Sequence, residues 1–209
     1  PTAEESPADL RLKARLLTIH PRLQNLRESA ALLSSLHERG LLRTSDRLLL
    51  ALVLEQLGEE TDAEPHWQKL LATHAENRGI VELYVQSLIR RKEPGKAQQW
   101  LDRLPKPSRS SLDTVRLQVA VLVDVGETDK ALEQLHGYLG EARGARERTG
   151  RTVQVAFLID ELARRLDKAS DTRAARGRLN REAERLYREY LAMNPADVLA
   201  FVEIGRAHV

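Results

Sequence analysis

Residues Gly58 to Leu71 read GEETDAEPHWQKLL, and the chain repeats this pattern at a fixed distance. Ala97, in GKAQQWLDRL, follows Ala63 by 34 residues, and Ala131, in TDKALEQLHGYL, follows Ala97 by 34 more. Gly58 and Gly126 stand 68 apart, two of the same period. A further copy, EAERLYREYL around Ala183, comes 52 residues after Ala131, one period plus 18. Self-similarity at this length means stacked helical hairpins, each unable to bury its apolar face without its neighbours. The predicted fold class is all-α, a solenoid of antiparallel helix pairs.

The totals agree with that reading. Hydrophobic residues make up 42% of the 209, enough for a continuous buried seam, while aromatics are only 4%, which suits close-packed Ala/Leu helices. Basic and acidic residues nearly balance, 33 against 31, so net charge gives no support to a global polyanion binder. The absence of cysteine excludes thiol catalysis, disulfides and thiolate metal sites. No apolar run approaches the roughly 18 residues of a membrane span. No compartment is indicated; a cytoplasmic one is the default expectation.

Taken in order, Pro1–Asp9 reads as a frayed lead-in, and Leu10–His20 with Leu23–Arg39 as an irregular first hairpin, broken at Pro21 and stopped at Gly40. The first regular unit has Ser45 or Asp46 as N-cap, an apolar face of Leu50, Ala51, Leu54 and Leu57, and a turn at Gly58. Asp62 is the expected cap of its return helix, with Pro65 in the first turn and Ala63, Trp67, Leu70 and Leu71 facing inward. The second unit runs Ile80–Arg91 and Lys96–Leu104, with Ser108–Ser111 as a linker after Pro105 and Pro107. The third runs Leu112–Val125 and Thr128–Leu139; EARGARERTG, Glu141–Gly150, reads as a loop. The fourth opens with Thr152–Leu166, and its 18 extra residues are expected as an extended helix–turn–helix through Ser170–Asn180. The domain reading is one solenoid: 1–43 the irregular hairpin, 44–203 the repeats, 204–209 a foreign tail.

These hairpins resemble the tetratricopeptide repeat family. The likeness rests on a small residue in the first helix (Ala51), Gly58 at the turn, a second small residue early in the return helix (Ala63) and an aromatic after it (Trp67). Ala183, Tyr187 and the closing MNPAD around Pro195 repeat it. The small residues have a physical reason: helix axes approach to about 8 Å only where no large side chain intervenes. Three positions depart from the family pattern. Lys92 stands for the turn glycine, Ala75 for a proline, and Leu101 for the aromatic of the second unit. The resemblance implies a right-handed superhelix whose concave face is lined by the first helix of each hairpin. That rule exposes Leu48, Leu52 and Gln56, then Glu82 and Gln86, then Arg116, Ala120 and Val123 as groove candidates. Family members that grip a chaperone's C-terminal carboxylates use Lys and Asn in such places; with Arg116 the one cation here, that ligand class is disfavoured.

Chemistry is sought and not found. The histidines, His20, His37, His66, His74, His136 and His208, include no i,i+4 pair to hold a metal on one helix face. Gly137, Gly140 and Gly144 lack the strand and the Gly-Lys-Ser/Thr of a phosphate loop. The adjacent acids Asp160–Glu161 and Glu59–Glu60 do not face each other on a helix. Ser108, Ser110 and Ser111 have no nucleophile-elbow context. No catalytic residue, cofactor or metal is expected. One stretch is basic: Arg143–Arg188 holds 13 Arg or Lys against 7 Asp or Glu, without interleaved aromatics.

The functional expectation is a non-catalytic scaffold that receives a peptide or partner protein in its concave groove, with the partner unnamed. The rival is nucleic-acid or polyanion binding through the 143–188 stretch, which is disfavoured; a third reading is the repeat region of a larger enzyme. The last six residues, Ile204–Val209 (IGRAHV), look like a translated sequencing adapter, and with Pro1 at the other end a fragment of a longer repeat protein is the expectation. The register makes a testable claim about packing. Ala131→Leu should cost about 1–3 kcal/mol by overpacking. Ala142→Leu, in the polar connection, should stay within about 0.5 kcal/mol. Denaturant melts of the two variants compare them directly, and equal stability would mean the register is wrong.

Overall fold

Four helices of this chain end where the backbone turns left-handed. In the computed structural model, which describes residues 6–104, 111–166 and 172–197, Gly58 has φ 79°, Lys92 59° and Gly126 85°. These three positions are one period apart. Each is followed by a backbone bond that closes the helix end: Glu59 N–H to Leu54 O (2.9 Å), Glu93 N–H to Leu88 O (2.9 Å) and Glu127 N–H to Leu122 O (2.8 Å). This is the helix-ending arrangement in which a residue at positive φ lets the next amides reach back to orphan carbonyls. Gly40, at φ 68°, does the same for the first hairpin, with Leu41 N–H bonded to Leu36 O at 2.8 Å. A Cβ built at Gly58 or Gly126 would meet nothing within 4 Å, so the demand there is torsional and not steric. Lys92 can therefore stand where the repeat prefers glycine, at a cost in backbone energy alone.

The chain divides into two compact units, Pro1–Ser87 and Leu88–Val209. The first holds α1 (Pro7–Ile19), α2 (Leu23–Glu38), α3 (Thr44–Gln56), α4 (Glu60–His74) and most of α5 (Arg78–Arg90). Here α1 pairs with α2 and α3 with α4, and α2 packs on α3. The second unit holds α6 (Pro94–Arg103), α7 (Leu112–Asp124), α8 (Thr128–Gly140), α9 (Ala145–Arg165) and α10 (Arg173–Met193). Its hairpins are α7 with α8 and α9 with α10, with α6 against α7 and α8 against α9. No strand occurs among the described residues. The all-α expectation holds, and so does the small-residue register: Ala51, Ala97, Ala131 and Ala183 are fully buried and Ala63 is 1% exposed. Trp67, Leu101, Leu135 and Tyr187, four residues on from those return-helix alanines, are fully buried as well. Leu101 thus fills its family position by aliphatic bulk.

Several helix starts differ from the sequence reading. α1 begins at Pro7, because Ser6 caps it by accepting from Asp9 N–H at 3.3 Å; part of the expected lead-in is helical. α3 begins at Thr44, so Asp46 is a first-turn residue, accepting from Arg43 N–H at 3.1 Å, and neither it nor Ser45 is the N-cap. α4 begins at Glu60, two residues before the expected cap Asp62 could act, which leaves Pro65 in the second turn. At α3 and α4 an acid inside the first turn, favoured by the helix dipole, is easily mistaken for the cap.

The expected loop 141–150 is overturned from Ala145 onward, where α9 already runs. Only Gly144 breaks the chain, at φ 136°. Glu147 accepts from Arg143 N–H at 2.8 Å and pairs with Arg151, while the Thr149 hydroxyl donates to Ala145 O at 2.9 Å. The expected helix–turn–helix is also absent from the described residues: Arg173–Asn180 belongs to α10, and the extra length lies chiefly in helices of 21 residues where α7 and α8 have 13. Expectations placed on Pro1–Glu5, on 105–110 with Pro105, Pro107 and Ser108, on 167–171, on Val198 and on the tail Ile204–Val209 lie outside the described residues.

The turn geometry predicts a stabilising substitution. Left-handed backbone costs an ordinary residue about 1–2 kcal/mol. Glycine gives back about 0.4–1 kcal/mol of that through its freer unfolded chain. Lys92→Gly should therefore raise stability by about 0.5–1 kcal/mol. Gly126→Ala should lower it. Thermal melts of the two variants against wild type check both signs.

Candidate binding groove

By the 34-residue register α3 and α5 are equivalent helices, and in the first unit their N-terminal halves form the walls of an open groove of about 620 Å³. Its floor is aliphatic: Leu48 from α3, with Ile80 and Leu83 from α5. Its rim is polar, with Arg43, Thr44 and Ser45 on one side and Asn77 on the other. Asn77 starts α5 by accepting from Ile80 N–H at 3.2 Å, which sets the direction of that wall.

The two helices are tied together toward their C-terminal ends by a part-buried polar junction. Glu55 of α3 accepts from Trp67 Nε1 of α4 at 2.7 Å and from the Ser87 hydroxyl of α5. The Trp67 ring lies 5.4 Å from that of Tyr84, whose hydroxyl donates to Glu64 at 3.0 Å. Trp67 is fully buried, so it serves the core and not a ligand. Charge-assisted bonds of this kind are the stronger class, and here they connect three helices through one carboxylate.

Of the candidates read from the sequence, Leu48 lines this groove. Leu52 is half-buried on α3 outside the lining, and Gln56 and Gln86 are exposed. Glu82 is half-buried and pairs with Arg78 at 2.8 Å. In the second unit Arg116 is exposed, but its guanidinium is held by both carboxylate oxygens of Glu161, at 2.7 and 2.6 Å. Ala120 and Val123 are each only 4% exposed, which corrects their assignment to an open face. The cause is that α7 is packed on by α6, α8 and α9 together, so little of its surface remains free. The sequence reading missed Ile80 and Leu83. The signal was present, since Leu83 lies 34 residues after Leu49, one position along from the row that was followed.

Of the thirteen cations in the basic stretch 143–188, seven are ion-paired among the described residues. Arg148, Arg151, Arg164, Arg165, Arg178, Arg185 and Arg188 are each paired with an acid within 4 Å. Most of these partners are a helical turn away, as expected for solvated helix faces. Among the described residues no group of three or more metal-ligating side chains could hold an ion, and no helix is long and apolar enough to cross a membrane.

No family model and no curated protein matches this chain. Solved structures do. A tetratricopeptide repeat protein from Parabacteroides merdae ATCC 43184 superposes over 99% of this chain and 87% of its own, with a TM-score of 0.57 at 14% identity. The fold is tetratricopeptide-like. A second match, the human IFIT1 dimer with m7Gppp-AAAA, covers 98% of this chain and 47% of its own, with a TM-score of 0.49 at 13% identity. At 14% identity the first match speaks for the architecture alone, a helical repeat fold.

One titratable cluster sits within the tetratricopeptide-like scaffold of the first unit. The His66 ring on α4 meets that of His37 on α2 at 5.2 Å, edge to face, and its Nδ1 lies 3.2 Å from the Arg47 guanidinium of α3. Burial first, then the charges of Arg47 and His37, push the His66 imidazole below its ordinary value, against a weaker opposing pull from Asp62. The folded state therefore favours the neutral ring, while the unfolded ring titrates near about 6.5. Stability from this site is complete above that pH and is lost as pH falls below it. Thermal melts between about pH 7.5 and 5.5 should show a smaller drop for His66→Gln than for wild type. Equal drops would place the acid sensitivity elsewhere.

Proposed function

We propose that this chain is a non-catalytic interaction scaffold that binds a peptide segment of a partner protein in the α3/α5 groove. The observation that supports this most is the aliphatic floor, where the half-buried Leu48 and Leu83 face solvent over the buried Ile80, between helices tied together by Glu55. An apolar side chain entering it would leave water, and full burial of one leucine-sized group contributes about 1.5–3 kcal/mol. Because the walls are braced by the Trp67 and Tyr84 packing, little ordering cost attends binding. Leu48, Leu52, Gln56, Glu82 and Gln86 remain the proposed contact row in this unit, extended by Ile80 and Leu83. Arg116 is proposed as a contact in the other unit.

Salt dependence separates this reading from binding to a nucleic acid. Several phosphate contacts would weaken binding about 10³–10⁵-fold between about 50 and 200 mM salt. Peptides selected by phage display on the wild-type protein should bind with little change over that range. They should lose about tenfold or more in affinity to Leu83→Gln and to Leu48→Gln, the cost of one apolar anchor. Steep salt dependence, or indifference to both leucines, would overturn the groove assignment.

A further inference from the structure

The position that caps each repeat's first helix recurs at 43, 77 and 111. Asn77 accepts from Ile80 N–H at 3.2 Å, and Ser111 accepts from Thr114 N–H at 3.2 Å. At 43 stands an arginine, which has no acceptor to offer, and α3 has no side-chain cap bond from it. Replacing a good cap by a residue that cannot cap costs about 0.5–2 kcal/mol. A local rule broken in this way, with no evident structural gain, marks a place to look for function.

Arg43 stands over a small concavity of about 220 Å³, lined also by Ala8, Arg11, Leu12 and Arg15 of α1. Two guanidiniums, those of Arg11 and Arg15, meet there around one carboxylate, and Arg43 lines the same concavity. Asp46 lies beneath, 1% exposed, with Arg11 Nε at 2.7 Å and Arg15 at 3.5 Å. Arg11 is fully engaged, since it also bonds the carbonyls of Pro7 and Leu41. Arg15 is 55% exposed and reaches the Ser45 hydroxyl at 3.1 Å. Arg43 is exposed and lies in the same lining. The balance is three positive charges to one negative, a surplus of two at a concave surface. The amides that open α3 add the positive end of a helix dipole to the same spot.

Arg43 also lines the aliphatic groove, so the two sites are continuous. Neither lining contains an acidic residue, and neither contains an aromatic one. A nucleobase would have no ring to stack on, which disfavours a nucleic acid as the source of the anion. A surplus of two positive charges matches a phosphoryl group, which carries about −1.5 to −2 at neutral pH, better than a lone carboxylate. We propose that Arg15 and Arg43 form a phosphate-binding subsite for a phosphorylated side chain of the peptide whose apolar residue occupies the Leu48, Ile80 and Leu83 groove. Arg11 and Asp46 act as positioning residues, holding the cluster against α3. This rests on the groove reading above.

The test uses two degenerate peptide libraries that differ only in a central phosphoserine or serine. They are presented to the full chain, to an Arg15→Gln, Arg43→Gln double variant, and to Leu83→Gln. Both arginines are exposed, and circular dichroism melts verify that the variants fold. Wild type should retain the phosphorylated library about tenfold better, the worth of one charge-assisted hydrogen bond. The double variant should erase that preference, and Leu83→Gln should weaken retention of both libraries while keeping it. Equal retention of the two libraries by wild type, or a preference that survives in the double variant, overturns the phosphate subsite. If retained peptides then still carry an aliphatic residue and still need Leu83, the groove reading stands without it. A phosphate preference lost in the double variant but indifferent to Leu83 would leave the subsite and remove the groove. Retention of neither library removes both. A 5′-phosphorylated oligonucleotide that outcompetes the phosphopeptides would assign the site to nucleic acid and overturn the proposal.

Discussion

The left-handed residue at the turns of the three 34-residue repeats, Gly58, Lys92 and Gly126, is the constraint on which the arrangement of their helices depends. A helix leaves its last carbonyls without amide partners, and the turn at Gly58, Lys92 and Gly126 resolves this by sending the next amide back five residues. That bond also places the return helix. Ala63, Ala97 and Ala131 each donate their amide to the carbonyl of Glu59, Glu93 or Glu127, at 3.0 to 3.1 Å. The alanine therefore arrives at a fixed angle and height against the first helix. It can be buried there only because its side chain is a single methyl, so turn torsion and helix approach are two parts of one geometric requirement.

What the turns place, buried polar groups then hold. Hairpin packing by alanine and leucine is non-directional, and aliphatic faces tolerate some sliding. The Glu55 junction removes that freedom in the first unit, because Trp67 and Ser87 can reach the one carboxylate only in a single arrangement of α3, α4 and α5. Asp46 plays a comparable part for α1 and α3, where Arg11 spans to it and to the carbonyls of Pro7 and Leu41. Unpairing either acid would leave a charge with little access to water, which is the expensive outcome. These two carboxylates hold α3 to the helices around it, although neither lines the groove.

Period and burial were legible from the sequence, and the reasons differ from residue to residue. Ala63, Ala97 and Ala131 repeat because each faces the same steric demand, so spacing alone reveals them. Helix starts were harder to read. Ser45, Asp46 and Asp62 have the chemistry of caps, yet the first turn favours the same acids through the dipole, and composition cannot separate the two. Residues 145–150 read as a loop because the segment is polar and carries Gly144 and Gly150, whereas a helix interior bears one glycine for about 1 kcal/mol. The groove was half legible. Leu48 followed from the repeat rule, but Ala120 and Val123 followed from it too and are buried, because α6, α8 and α9 all pack on α7. Exposure on a repeat face is set by the neighbouring helices, which no single-helix pattern contains.

A repeat fold also gives its exceptions a meaning that an irregular fold would not. Where a position recurs, its ordinary occupant is known from the neighbouring copies, and a departure can be weighed against them. Lys92 departs at a turn, where its side chain is exposed and the equivalent glycines, Gly58 and Gly126, have open space around a built Cβ, so the substitution amounts to tolerated backbone strain. Arg43 departs at a cap, and it does so at the junction of an aliphatic groove and an arginine-lined concavity. The lost cap is partly offset, since Asp46 accepts the Arg43 amide at 3.1 Å. That same carboxylate gathers Arg11 and Arg15 beside it. The compensation for the missing cap and the assembly of the basic cluster are thus the work of one buried acid, so helix α3 and the phosphate subsite share a single structural origin.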